Sequence, residues 1–192
     1  MPPLILASTS TYRRELLTRL RLPFECAAPG VDESALAAES HFDRAVRLAL
    51  AKAAAVAARR PDSTVIGSDQ VGVCKGEALD KPGNALRARA QLQRMSAAAA
   101  TFYTAVAVLP VERASGLQFV DTTTVYFRAL SDPEIDRYIA AEQPFDCAGA
   151  FRGEGLGISL FSRVVSEDPT GLIGLPLIAV ARSLRQLGYD VP

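Results

Sequence analysis

The run Leu4-Ile5-Leu6-Ala7 is apolar at every position and stops abruptly at the hydroxyl-rich Ser8-Thr9-Ser10. A short unbroken apolar run bounded by turn residues reads as a buried strand. From Thr11 to Leu20 the leucines Leu16, Leu17 and Leu20 return to one helical face. The chain therefore opens as strand, polar turn, helix. A second apolar run, Thr64 to Gly67, leads directly into Ser68-Asp69-Gln70, and Val71 to Val73 extend it. Such strands need layers on both sides, so the chain is expected to be α/β.

The remaining segments fill in that scheme. Pro23 to Ala28 reads as a second short strand, and Gly30 to Ser40 as a polar, acidic loop. Phe42 to Arg59, rich in Ala, Leu and Arg, is a strong helix. Lys81-Pro82-Gly83-Asn84 is a turn that starts a helix from Ala85 to Met95. Thr101 to Leu109 and Gln118 to Phe127 read as long strands, and the stretch from Glu112 to Gly116 between them suggests a hairpin. Ser131-Asp132-Pro133-Glu134 combines an N-cap, an early Pro and a capping-box Glu at the start of a helix to Ala141. A Gly-rich stretch from Gly149 to Gly157 precedes a short strand at Ile158 to Phe161, and Pro176 to Leu187 is the last helix. Helices and strands alternate without strict βαβ units, so the sheet is expected to be mixed, long and curved. The 192 residues fit one domain over 1–192, with room for two lobes.

Composition narrows the function. Basic and acidic residues number 21 each, which argues against a broad nucleic-acid-binding face. No apolar run reaches the ~18 residues of a membrane span. The N-terminal Met1-Pro2-Pro3-Leu4 lacks a basic leader, and Cys26, Cys74 and Cys147 form no C-x-x-C pattern, so a reducing cytoplasm is expected. His41 is the sole histidine, which removes Ser-His-Asp, Cys-His and H-E-x-x-H chemistry. Catalysis must then rest on carboxylates, Lys, Arg, Tyr or a metal. Three lysines stand against 18 arginines, so each lysine is a question in itself.

Three groups of residues could carry chemistry. Ser8 to Arg14 sits between strand and helix, where helix-terminal amides, hydroxyls and the Arg13 fork all suit phosphate. It also reads as an N-cap followed by surface arginines. Asp69 ends an apolar strand, where open sheets hold ligands and a carboxylate can bind magnesium or deprotonate water. Glu33 is its natural partner, although both have plain readings as turn and loop acids. Lys75 reads as exposed in a Lys-Gly-Glu turn, Lys52 lies in an Ala-rich helix, and Lys81 before Pro82 would bring an ammonium near a phosphate, although each taken alone also reads as a solvated side chain.

Taken in order, Leu4 to Ser10 with Arg13-Arg14, Ile66 to Val71, Lys81-Pro82, Ala148 to Phe151 and Gly174-Leu175-Pro176 resemble the signatures of the Maf family of nucleotide pyrophosphatases across essentially the whole chain. The resemblance implies a single Maf/ITPase-like domain with two lobes around a cleft. It implies metal-dependent hydrolysis of a nucleoside triphosphate between the α and β phosphates. By position it makes Asp69 the proton acceptor, places Lys52 and Lys81 among catalytic residues, and gives Glu33 and Asp69 to a divalent metal (magnesium or manganese, with cobalt as a third choice). Ser8, Arg13 and Arg14 fall at the phosphate-binding turn.

Tyr12, Gln70 and Glu154 stand where the pyrimidine-triphosphate branch typically has Arg, Thr and Gln. The chain is similar instead to the 7-methyl-GTP pyrophosphatase branch. N7-methylguanine is cationic, so an aromatic face attracts it, and a carboxylate accepts its N1 and N2 protons. Thr11 departs from the family's usual Pro, Ala97 from its Gly, and Tyr12 from the Trp of close relatives. Expected partners are a nucleotide and, as an open option, a second copy in a homodimer, with no nucleic acid and no membrane. Two alternatives stay open: dTTP/UTP or broad specificity, and a nucleotide-binding regulator of cell division with weak catalysis.

Overall fold

The computed structural model describes residues 1–112 and 116–192. Among them are seven strands: β1 (Leu4–Ala7), β2 (Glu25–Cys26), β3 (Thr64–Cys74), β4 (Glu77–Leu79), β5 (Ala99–Leu109), β6 (Leu117–Phe127) and β7 (Phe161–Val165). The five helices are α1 (Thr11–Thr18), α2 (His41–Arg59), α3 (Ala85–Met95), α4 (Asp132–Glu142) and α5 (Leu177–Gln186). All seven strands form one open sheet in the order β2-β1-β3-β5-β6-β7, with β4 added to β3. It is mixed: β1 runs parallel to β2 and β3, whereas β3–β4 and β6–β7 are antiparallel.

The α/β reading and the mixed sheet hold, and β3 continues through Val71 to Val73 to Cys74 as expected. Two strands differ. The stretch expected as Pro23 to Ala28 pairs only through Glu25 and Cys26, because prolines 23 and 29 close both ends and lack the amide hydrogen a ladder needs. Residues Leu156–Leu160 form a 3-10 turn, and the strand expected from Ile158 begins at Phe161. Gly157 makes that turn possible, since a Cβ there would lie 2.3 Å from the Arg152 carbonyl oxygen. Strands β5 and β6 are neighbours, as the hairpin reading requires. The middle of their expected turn, residues 113–115, lies outside the described residues. Lys75 and Gly76 take positive φ of 52° and 81° between β3 and β4, the two-residue turn that a twisted hairpin favours.

The chain divides into two compact units: Met1–Gln70, Thr104–Asp121 and Asp168–Pro192, and then Val71–Tyr103 with Thr122–Glu167. In the first, the period of two along each strand sorts side chains into two cores. Leu4, Leu6, Ile66, Val106 and Val108 pack with Leu16 and Leu17 of α1 and Val180 and Leu184 of α5. Ile5, Ala7, Val65 and Ala107 point the other way, onto Ala53, Val56 and Ala57 of α2. The second unit centres on Phe127, Phe151 and Phe161, stacked edge to face with centroids 5.1–5.5 Å apart, and Phe102 meets Phe151 in the same way. There Ala97 holds φ +53°, the left-handed conformation that the usual glycine would adopt without strain. The turn forms nonetheless, tied by Leu130 N to Ser96 Oγ at 2.8 Å and Ala97 N to Arg128 O at 3.1 Å.

At Gly67 the backbones of β3 and α2 themselves meet. A Cβ on it would stand 2.3 Å from Ala49 O and 2.6 Å from Ala53 N, both backbone atoms of α2. Gly67→Ala should therefore push α2 off the sheet and cost roughly 2 kcal/mol or more. The check is urea unfolding, where the midpoint should fall with the slope unchanged.

Candidate active site

The alternation that sorts the core continues into polar residues at the end of β3. Val65, Gly67 and Asp69 face α2, and Ile66, Ser68 and Gln70 face the other side. Because Gly67 lets α2 lie close, Lys52 reaches across, and its Nζ donates to Asp69 Oδ1 at 2.6 Å. The same ammonium meets Glu33 Oε1 at 2.8 Å. The Lys52 and Asp69 side chains are only 6% and 8% exposed, while Glu33 is 57% exposed, so one acid is withdrawn from water and the other reaches into it. Among the described residues the Asp69 carboxylate makes this one hydrogen bond, which leaves Oδ2 free to accept.

Glu33 belongs to a loop with no strand or helix of its own, as the sequence suggests. It is held from α2. Arg44 donates to the Glu33 carbonyl at 3.1 Å, and Arg47 donates to the Ser34 carbonyl at 3.0 Å. Arg47 also grips Glu39 with two bonds, Nε to Oε1 at 2.5 Å and Nη2 to Oε2 at 2.8 Å. Those bonds hold the Glu39 carboxyl down to about 2, so it stays ionised through the ordinary pH range. Residues 44 and 47 are three apart and share one side of the helix. The two arginines were not singled out in the sequence, where they look like surface charge.

At the first turn, Ser8 is buried and its Oγ accepts from Ser10 N at 3.1 Å. Ser10 caps α1 by accepting from Arg13 N, so the helix starts at Thr11 without the family's proline. Arg13 is half-buried and donates from Nε to Gly174 O at 2.9 Å. Desolvation pulls its guanidinium below the ordinary value, while the charges of Asp69 and then Glu33 push it back up. Arg13, Glu33, Lys52 and Asp69 thus share one electrostatic neighbourhood. Arg14 is exposed on α1, and Tyr12 is half-buried.

Gln70 follows Asp69 but serves the opposite face. Its Nε2 lies 2.9 Å from Thr104 Oγ1 and 3.0 Å from both Gly171 O and Leu172 O. In the second unit, Lys81 is exposed beside the buried Pro82. Glu154 sits in the Gly-rich loop with Oε1 3.8 Å from Arg152 Nε.

The segment from Asp168 to Ile173, just before the Gly174-Leu175-Pro176 signature, is the part of the site that sequence reasoning passed over. Asp168 is buried, bonds Thr170 N and Oγ1, and caps α5 through Ile178 N at 2.7 Å. The turn chemistry of Asp168-Pro169-Thr170-Gly171 was a readable signal.

Glu33 and Asp69 offer one carboxylate oxygen each around a single cationic point. No third His, Cys, Asp or Glu joins them among the described residues. Those two oxygens already bond the Lys52 ammonium, so a divalent cation would use the second oxygen of each carboxylate and complete its shell with water and phosphate oxygens.

A family model described as Maf-like protein matches residues 3–187. The chain belongs to the Maf-like family. Among Maf-like relatives, it is 56% identical over 192 residues, all of both chains, to the 7-methyl-GTP pyrophosphatase of Xanthomonas axonopodis pv. citri. It is 54% identical, over 98% of this chain and 94% of the other, to the protein of that name from Albidiferax ferrireducens. Among solved structures it is similar to a nucleoside-triphosphatase / dITP/XTP pyrophosphatase from Mycobacterium abscessus, at TM-score 0.44 and 17% identity over 97% of each chain.

Removing Lys52 from this Maf-like site should strand Asp69 as a buried charge. Lys52→Met should cost about 3 kcal/mol, and adding Asp69→Asn should recover much of the loss. Equal stability of Lys52→Met and wild type in urea would show that water already solvates Asp69.

Proposed function

We propose that this Maf-like protein hydrolyses 7-methyl-GTP to 7-methyl-GMP and pyrophosphate. The observation that carries the reading is the Asp69 carboxylate, nearly buried, held on one oxygen by Lys52 and open on the other. A carboxylate so placed can accept a proton from a water that attacks the α-phosphorus. Lys52 keeps Asp69 oriented and supports the charge of the phosphates. Arg13, a cation in partly desolvated surroundings, binds phosphate oxygens, and Ser8 can donate to them through its hydroxyl hydrogen. Arg14 adds positive charge beside Arg13, and Lys81 is assigned to catalysis by its position in the family alone.

Glu33 and Asp69 would hold a divalent cation, which supplies Lewis-acid charge on phosphate oxygens when bound. Tyr12 is assigned the face of the cationic base, and Glu154 its N1 and N2 protons. Support for those two comes from their positions in the family and from the names of the relatives. The Gln70 amide is already committed to backbone carbonyls, so its part in base choice would be indirect.

The test is pyrophosphate release from 7-methyl-GTP, GTP and UTP with magnesium and with excess chelator. The wild type should prefer 7-methyl-GTP and stop in chelator, and Asp69→Asn should lose roughly a hundredfold or more. Asp69→Asn at above about a tenth of the wild-type rate would remove the base role. Full activity in chelator would remove the metal. A preference for UTP would move the protein to the pyrimidine reading, and binding without turnover to the regulatory one.

Base choice has its own check. Glu154→Gln keeps the shape but loses a charge-assisted bond, so kcat/KM for 7-methyl-GTP should fall roughly ten- to a hundredfold with UTP little changed. Equal losses on every substrate would assign Glu154 to the fold or the phosphates.

A further inference from the structure

We infer that Ser68 and Gln70 are positioning residues that act through the strap Gly171–Gly174 to aim the Arg13 guanidinium. The inference rests on the reading of Arg13 as a phosphate ligand. It starts from the Gly174 carbonyl, whose oxygen receives Arg13 Nε at 2.9 Å and Ser68 Oγ at 3.0 Å. A carbonyl oxygen has two lone pairs, and here both are used. The hydroxyl of Ser68, which is fully buried, therefore fixes the acceptor to which Arg13 is tied. Fixing Nε–H orients the whole planar fork. Among the described residues the two Nη groups of Arg13 make no hydrogen bond, so the fork is oriented but unspent.

The strap is anchored along its length. Gly171 O accepts from Thr104 Oγ1 at 2.9 Å and from Gln70 Nε2 at 3.0 Å, and Leu172 O accepts from the same Gln70 amide. Leu177 N donates to Thr170 Oγ1 at 2.7 Å, and Asp168 N to Asp121 Oδ1 at 3.3 Å. The strap has no slack: a Cβ on Gly171 would meet Asp121 Oδ2 at 2.1 Å, and Gly174 holds φ +125°, a conformation that side-chain-bearing residues rarely adopt. Successive residues of β3 thus divide the work. Asp69 turns to Lys52 on one face, and its neighbours on both sides hold the strap on the other. A ligand group pre-aimed in this way loses less freedom on binding, which appears as affinity.

The experiment is a double-mutant cycle on the equilibrium dissociation constant for inorganic pyrophosphate with magnesium, read by calorimetry without turnover. Ser68→Ala should weaken binding about five- to tenfold in wild type and less than about twofold when Arg13 is already Ala. Gln70→Met should behave alike, and should lower kcat/KM for 7-methyl-GTP and UTP by the same factor. Thermal melts of all variants separate this from unfolding, since lost fold would weaken binding equally in both backgrounds. Losses of equal size with and without Arg13 would overturn the positioning role, as would unchanged binding in Ser68→Ala. A Gln70→Met effect confined to one base would overturn it for Gln70. Should Arg13→Ala bind pyrophosphate as tightly as wild type, the phosphate role of Arg13 falls and the proposal with it, an outcome distinct from failure of the positioning alone.

Discussion

The backbone of α2 lies against β3 only because residue 67 has no side chain. Every other feature of the acidic face follows from that approach. A helix standing one methyl further out would carry Lys52 away from Asp69 and leave the buried acid without its cation. The contact is made by Ala49 and Ala53, small residues one turn apart that continue the close fit. Apolar packing of Ala53, Val56 and Ala57 against Ile5 and Val65 supplies the force that holds it.

The polar end of the sheet is the apolar core carried a few residues further. The two-residue period that sends Val65 and Ile66 to opposite cores sends Asp69 and Gln70 to opposite networks. One network is ionic, built of Lys52, Asp69 and Glu33. The other is made of neutral donors on backbone carbonyls, ending at Arg13. Arg13 belongs to the second by its bond and to the first by its field, since Asp69 and Glu33 both act on its charge. The arrangement separates the group that holds a proton acceptor from the groups that hold a cationic fork, so either can be altered with little direct disturbance of the other.

Much of this was legible in the sequence. Unbroken apolar runs at Leu4 to Ala7 and Thr64 to Gly67 announced buried strands, and each ended in the residues that matter. Long-range facts were not legible. Nothing local says that Arg44 and Arg47 serve a loop rather than solvent, because the partners are backbone carbonyls that any sequence possesses. Nor does adjacency in sequence mean a shared pocket, since neighbours on a strand face apart and Gln70 bonds the carbonyls of Gly171 and Leu172 while Asp69 bonds Lys52. The strand expected at Ile158 failed because apolar content outweighed Gly155 and Gly157, which bend the chain before pairing starts.

The hold that Arg44 and Arg47 keep on the loop has a mechanical side. The loop has no strand or helix of its own and, beyond its short internal bonds, leans on a 19-residue helix. Glu33 and Lys52 therefore ride on one rigid carrier, and Asp69 stands on another, the sheet. A small slide of α2 along β3 would leave the Glu33–Lys52 separation almost untouched and spend itself on the Lys52–Asp69 contact. The gap that opens first under such motion is the one beside the buried acid.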